Sequence, residues 1–261
     1  MTTITLFKLA AAPFLILSVT WLARRFGPAV GGLMMGIPLL TGPISIFTAV
    51  EQGADFARQS AAANLVGQVS TCIFCFVYAA TAARREAWAS AACGILGFFV
   101  ATLVWSQFHW SLLTAALFFS VSLAVLGWSF PKLPTSAPGR TAPKWELPAR
   151  MVVAGCFVLA ITLVSAHLGP QLSGLTAPFP VFVLILVVFT HLHDGNGASA
   201  AMTKGVILGS PAFGAFFMTV AAGLERLPIT VVYLGATLLS VGVGGGMLWL
   251  LERFKVGHAS A

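Results

Sequence analysis

Charge is scarce in this chain. Of its 261 residues, 8% are charged and 58% are hydrophobic, and Asp and Glu together number only 7. A soluble domain needs far more charge to cover its surface. The scarcity therefore argues against a soluble domain and predicts an all-α polytopic membrane protein, because helices satisfy their own backbone hydrogen bonds in lipid. The apolar runs are long and continuous instead of alternating, which argues against a transmembrane barrel.

Cysteine is also scarce, and several motifs that carry chemistry are missing. Cys72 and Cys75 form a C-x-x-C inside an apolar segment, while the other two of the 4 cysteines stand alone. We interpret them as small buried thiols rather than a redox or metal pair. No G-x-x-x-x-G-K-[ST] phosphate loop is present, so nothing indicates ATP hydrolysis. We therefore expect neither a cofactor nor a metal.

Basic residues outnumber acidic ones, which gives a net charge of +7, but they are scattered in short loops. Such scatter is typical of topology signals and indicates no nucleic-acid partner. Apolar runs long enough to cross a bilayer predict about nine helices. They cover residues 5–23, 28–50, 62–83, 87–105, 109–129, 151–168, 173–191, 199–223 and 228–251. With the N-terminus outside and the C-terminus inside, most Lys and Arg fall on the inner side, as expected in a bacterial-type inner membrane. A homo-oligomer is compatible with this class.

An internal repeat is the main functional signal. Residues 27–53 return as residues 169–195, and eight identical pairs align without a gap where composition alone gives about two. The pairs are Gly27/Gly169, Pro28/Pro170, Gly32/Gly174, Leu33/Leu175, Pro38/Pro180, Phe47/Phe189, Thr48/Thr190 and Gly53/Gly195. In the nine-helix topology the copies cross the membrane in opposite directions. The chain is thus predicted to hold two inverted-topology repeats, each with a Gly/Pro-broken second helix.

The repeats define the predicted domain organisation. Residues 1–130 form the first membrane repeat with five helices, 131–150 a cytoplasmic linker, 151–256 the second repeat with four helices, and 257–261 the C-terminal tail. Proline removes a backbone donor and glycine permits unwound backbone, so such positions either expose groups to a ligand or simply kink a helix. The predicted helix breaks are Gly36, Pro38, Gly42, Pro43, Pro178, Pro180, Gly195 and Gly197.

Inverted repeats that each carry a discontinuous helix are the plan of many secondary transporters, in which substrate binds near the midplane between the breaks. In this broad plan the chain resembles the architecture of bile-acid symporters and sodium/proton antiporters. In those families the unwound, crossing helix comes late in each repeat, whereas here the broken helix is second. No family motif is matched residue by residue, so the resemblance carries over neither a substrate nor a site.

Polar residues at the ends of the two copies are the candidates for solute or ion binding. Glu51 and Gln52 end the first copy and Asp55 follows it, while His193 and Asp194 end the second. Ionisable groups at membrane depth are costly and are usually functional, although a wet loop would also explain them. Inverted symmetry places the first group toward the outer side and the second toward the inner side, as paired gate or coupling positions.

Asn196 and Lys204 follow the second copy. Asn196 lies between two glycines, where a new helix N-terminus attracts an anion or is capped by a side chain. Lys204 either binds a carboxylate or phosphate in a cavity or extends to the inner interface. His191 lies close before these residues, and together with His193 and Asp194 it offers metal ligands, but the spacing that indicates a metal site is absent. A proton relay or pH-sensitive gate is the simpler interpretation.

The sequence therefore predicts a secondary active transporter and not an enzyme. Its partners would be a small polar or anionic solute, a coupling proton or sodium ion, and the lipid bilayer. Alternating access between the repeats would carry the solute across the inner membrane. Two alternatives stay open at this point: a membrane-embedded metal-dependent enzyme, and a channel or partner subunit of a membrane complex.

Overall fold

Helices make up the fold. The computed structural model of the protein describes residues 3–132, 145, 147–153, 155, 156 and 179–258, and no strand occurs among them. Residues 147–153 form a short helical segment. The longer helices are α1 Thr3–Phe26, α2 Pro28–Gly36, α3 Thr41–Gln52, α4 Ala54–Ala82, α5 Ala87–Trp105, α6 Leu112–Trp128, α7 Val181–Gly223 and α8 Ile229–His258.

Within the described residues, five stretches are long and apolar enough to cross a membrane. They are Pro28–Gln52, Ala54–Ala82, Ala87–Trp105, Val181–Gly223 and Ile229–Arg253. The apolar α6 is shorter, with 17 residues. An all-helical chain of this kind is compatible with a multi-pass membrane protein. Nine spans remain a prediction, since residues 157–178, which belong to two of them, lie outside the described part of the chain.

Three glycines change the direction of the chain between helices without a loop. Gly27 separates α1 from α2 with φ 98° and ψ 160°, and Gly53 separates α3 from α4 with φ 91° and ψ 164°. Gly195 lies inside α7 with φ 85° and ψ 176°. Side chains disfavour this region of backbone space so strongly that it is essentially reserved for glycine. The local sequence thus fixes where these helices end.

Helix α7 bends back sharply at Gly195. A straight helix of 43 residues would be about 65 Å long, roughly twice the thickness of a bilayer's hydrocarbon core. Thr190 Oγ1 nevertheless lies 3.7 Å from Met202 Sδ, whereas about 18 Å would separate the two residues along a straight helix. The helix therefore has two arms, residues 181–194 and 196–223. The sequence predicted a wider gap at 192–198, but a single glycine makes the bend.

Helix α4 and the second arm of α7 run antiparallel through the centre of the protein. Leu65, early in α4, belongs to the same buried cluster as Phe217 and Val220, late in α7. Tyr78, late in α4, shares a second cluster with Met202, early in the arm. Residue numbers thus rise along one helix as they fall along the other. Helix α5 packs along α4, and α8 packs along α7.

Helix α2 lies against the second arm of α7 with backbone touching backbone. A Cβ added at Gly36 would lie 2.6 Å from the Gly209 Cα, and one added at Gly32 would meet the Met202 carbonyl. Small residues permit this approach, as is common where helices pack in membranes. The broken helix of the first predicted repeat is thereby held against the second repeat.

Candidate functional site

One buried hydrogen bond joins positions that the predicted repeat would make equivalent. Gln68 Nε2 donates to Ser210 Oγ over 2.9 Å, and the two residues are 142 positions apart. The same offset of 142 relates residues 27–53 to residues 169–195. In a two-fold arrangement, a residue meets its own equivalent only on the symmetry axis. The contact between α4 and α7 therefore lies where an axis relating the repeats would pass.

The offset also relates other parts of the fold. Gly53 and Gly195 are equivalent positions and share nearly the same φ and ψ. The helices that follow them, α4 and the second arm of α7, are those that run antiparallel. Next along the chain, α5 begins at Ala87 and α8 begins at Ile229, again 142 positions later. These correspondences extend beyond the segment in which the residue identities were found.

Polar side-chain contacts join α4 to α7 or to the residues just after α7 at three levels along α4. Arg58 Nη1 lies 3.0 Å from Glu225 Oε1 at one end, and Gln68 meets Ser210 in the middle. At the other end, Tyr78 Oη lies 3.0 Å from His191 Nδ1. Arg58, Gln68 and Tyr78 are ten residues apart, which is about 15 Å of helix for each step. The three levels together span about 30 Å, the thickness of a bilayer's hydrocarbon core.

The predicted site residues of the first copy are exposed at the Arg58 end of α4. Glu51 and Gln52 are the last residues of α3 and both are exposed. Asp55 lies in the first turn of α4, where its Oδ1 is 4.0 Å from Arg58 Nε and its side chain is 93% exposed. An ion pair this exposed contributes little to stability.

The predicted site residues of the second copy surround the bend at Gly195. His193 is half-buried, with its ring centroid 6.1 Å from that of Trp145 and 6.5 Å from that of Phe189. Asp194 and Asn196 are partly exposed on either side of the glycine. The Asn196 carbonyl accepts a hydrogen bond from Ser199 Oγ. Lys204, two turns further along, is partly buried.

The structure does not bring these two groups of candidates together. Asp55 and Tyr78 are separated by about 35 Å of α4, and Tyr78 contacts His191, just before the second group. Among the described residues, no group of three or more His, Cys, Asp or Glu side chains is placed to hold a metal ion. The arrangement offers separate polar groups toward opposite ends of a central helix.

The predicted helix breaks lie in different kinds of local structure. Gly36 ends α2 and Pro38 lies in the interruption before α3, whereas Gly42 and Pro43 lie in the first turn of α3. Proline is tolerated there because its missing N–H has no partner in a first turn. Pro180 likewise precedes α7 as its N-cap residue, Gly195 makes the bend, and Gly197 is buried in the second arm. Pro178 lies outside the described residues.

Arg150, the last residue of the predicted cytoplasmic linker, is buried, with only 3% of the residue exposed. Its Nη1 donates to Thr20 Oγ1 on α1 over 3.5 Å, and its guanidinium carbon lies 5.4 Å from the centroid of the Phe189 ring. A cavity of about 480 Å³ beside Thr20 is lined mainly by α1 and by Leu147. The helical segment 147–153 therefore packs into the protein.

Sequence reasoning also missed Gln68, Ser210 and Tyr78. Each is a polar residue in the middle of an apolar run, which in a membrane segment is itself a signal of function. Applying the repeat offset to Gln68 would have identified Ser210. No such rule identifies the contact of Tyr78 with His191, because the pair joins non-equivalent positions in different helices.

No family model, curated protein or solved structure matches this chain. The fold defines its class, an all-helical protein with apolar helices of membrane-spanning length.

The hydrogen bond of Gln68 with Ser210 should show a marked asymmetry between its partners. Ser210→Ala leaves the buried Gln68 amide without this acceptor, and we expect a loss of about 1–3 kcal/mol in the free energy of unfolding. Gln68→Leu removes the buried amide that needs an acceptor. In that variant Ser210 Oγ still donates to the Val206 carbonyl. The double variant should therefore be more stable than Ser210→Ala, as measured by thermal unfolding in detergent.

The control for this cycle is Thr219→Val. Thr219 Oγ1 donates to the Ala215 carbonyl within its own helix. Removing this hydroxyl therefore takes no hydrogen-bond partner away from a buried side chain of another helix. A double variant that is as unstable as Ser210→Ala plus Gln68→Leu added together would show that the two side chains do not interact.

Proposed function

We propose that the protein is a secondary active transporter that moves a small polar or anionic solute by alternating access. The two moving units are the inverted repeats, residues 1–130 and 151–256. The observation that carries the proposal is the central pair of antiparallel helices. Each follows a glycine in the same left-handed conformation, and equivalent residues, Gln68 and Ser210, are bonded where the helices cross.

This arrangement supports alternating access for a geometric reason. Two halves that are related by an axis in the membrane plane have two equivalent ways of packing, one open to each side. A contact on that axis keeps its place in both states, while contacts at the two ends are exchanged. Gln68 with Ser210 is such a central contact, and the contacts of Arg58 with Glu225 and of Tyr78 with His191 are the end contacts.

The candidate side chains fit a polar or anionic solute. In the predicted topology, α4 ends just before Arg84 and Arg85, so its Tyr78 end faces the cytoplasm. Asp194, Asn196 and Lys204 then approach the solute from the inner side, and Glu51, Gln52 and Asp55 from the outer side. The second arm of α7 begins after Gly195, and the N-terminus of a helix favours negative charge. Coupling to a proton or to sodium supplies the driving force.

Thermal stability of the purified protein tests this proposal even while the solute is unidentified. A panel of small organic acids, amino acids and ions is added, and a bound solute at about 100 times its dissociation constant raises the stability by about 2.7 kcal/mol. We expect one solute class to raise the melting temperature. The rise should be smaller for Asp194→Asn and unchanged for the control Glu252→Gln, which alters an exposed carboxylate in α8.

Transport of the stabilising solute into proteoliposomes then separates the alternatives. Saturable flux that depends on an ion gradient supports a transporter, whereas fast, non-saturating flux without a coupling ion indicates a channel. A protein that copurifies stably indicates a partner subunit. Bound metal that is lost in His193→Ala indicates the enzyme. If no solute in the panel stabilises the protein and no flux occurs, the proposal fails.

A further inference from the structure

We propose that His191 binds the coupling proton, and that its protonation releases the Tyr78 contact, which closes the cytoplasmic side of the protein. The inference rests on the proposed transport function and names its coupling ion. Its basis is the geometry of the three levels of contact between the halves. Of these, the Tyr78 level is the one that holds an imidazole.

The hydrogen bond at this level depends on the charge of the imidazole. Tyr78 is completely buried and His191 is half-buried. When neutral His191 carries its proton on Nε2, the tyrosine O–H donates to the unprotonated Nδ1, which is 3.0 Å away. The rings also meet edge to face, with centroids 5.9 Å apart. One buried donor is thereby satisfied by one acceptor across the interface between α4 and α7.

A proton taken from solvent onto Nδ1 removes that acceptor. Nδ1–H can then donate only to the tyrosine oxygen, and the tyrosine O–H, which has lost its acceptor, must turn toward its apolar surroundings, where an unpaired donor is costly. The contact is weakened without any change in the other two levels. Imidazole is the side chain that changes charge between about pH 5 and 8, so ordinary pH differences across a membrane act on this contact.

Other titratable groups surround the pair. On the same arm of α7, His193 and Asp194 follow His191 by two and three residues. On α4, Cys75 precedes Tyr78 by one turn. From the segment 147–153, the Arg150 guanidinium lies over the ring of Phe189. His193 contacts Phe189 and Trp145 rings rather than a tyrosine hydroxyl, so it serves as the matched control histidine.

Position gives the proton its effect on conformation. His191 lies four residues before Gly195, the point at which α7 bends. Release of Tyr78 frees the first arm of α7 from the end of α4, while Gln68 still holds the second arm at the axis. The cytoplasmic side opens, and a proton that reached His191 while the protein was open to the outer side is released to the cytoplasm.

The first test is the melting temperature in detergent between pH 8 and pH 5. Because protonation leaves the buried Tyr78 O–H without its acceptor, stability falls as the pH falls. We expect a fall of about 2 to 4 °C, the size of one buried hydrogen bond in a chain of this length. The fall should be absent in Tyr78→Phe and in His191→Gln and should be retained in His193→Gln. A fall that persists in the first two variants, or no fall in the parent, overturns the inference.

The second test measures how fast a maleimide labels the Cys72 thiol, which lies near the proposed axis. Cys72 Sγ lies 3.4 Å from Ser210 Oγ and is buried, and the other three cysteines are replaced by alanine. A membrane-impermeant maleimide is added to inside-out vesicles at constant pH. Tyr78→Phe should label about five- to tenfold faster than the parent, which is the population shift from one lost hydrogen bond. Thr81→Val is the control, because Thr81 bonds carbonyls of its own helix.

The two tests fail separately. If the pH-dependent loss depends on His191 but labelling of Cys72 is the same in Tyr78→Phe, the proton site stands and alternating access is wrong. If Tyr78→Phe labels faster but the pH-dependent loss does not require His191, the cytoplasmic contact stands and the proton site is wrong.

Discussion

Gly209→Ala is expected to destabilise the protein strongly, because it places a methyl group of α7 against the backbone of α2. The added Cβ would collide with the Leu33 carbonyl oxygen and would lie 3.0 Å from the Gly36 Cα. These are backbone atoms of α2, which cannot rotate away as a flexible side chain does. Overpacking of a tight interface costs about 1–3 kcal/mol, and we expect the upper end, since two helices must separate.

The measurement is thermal unfolding, in which about 3 kcal/mol corresponds to a fall of roughly 6 to 12 °C. Gly245→Ala in α8 is the control, because a Cβ added there meets no described atom within 4 Å. Alanine favours a helix over glycine by about 0.5–1 kcal/mol, so the control should be unchanged or slightly more stable. Equal melting temperatures for the two variants would show that α2 does not lie against α7 as described.

Composition was enough to predict an all-helical chain with apolar helices, and Gly195, a predicted helix break, is the point at which α7 bends. Scarce charge leaves helices in lipid as the way to satisfy the backbone. Gly53 and Gly195 were aligned by sequence identity, and both adopt the backbone conformation that favours glycine. A backbone conformation that only glycine adopts easily depends on one residue, so it can be recognised from the sequence.

The contacts between the halves could not be predicted in the same way. Tyr78 and His191 are 113 positions apart, and nothing local in either segment specifies the partner. The burial of Arg150 could not be predicted from its neighbours in the sequence either. A basic residue near a proline-rich stretch is usually solvated, yet the helix that carries it packs against α1 and buries the guanidinium. Burial is decided by neighbours distant in sequence, which a reading along the chain does not contain.

Gly195→Ala should weaken the protein through its backbone alone. A Cβ at this position meets no described atom within 4 Å, so crowding contributes nothing to the effect. The cost arises because φ 85° with ψ 176° is strained for any residue with a side chain, by about 1–3 kcal/mol. This corresponds to a fall in melting temperature of roughly 2 to 12 °C, against no fall for Gly245→Ala.

Gly53→Ala provides the decisive comparison, because the proposed repeat would make Gly53 and Gly195 equivalent. The backbone angles nearly match, and a Cβ at Gly53 also meets no described atom within 4 Å. The two variants should therefore lose similar stability, and the double variant should lose their sum to within about 0.5 kcal/mol, since distant sites act independently. A loss confined to one glycine would mean that the two bends contribute differently to stability, and Gly53 and Gly195 would then no longer support the equivalence of the halves.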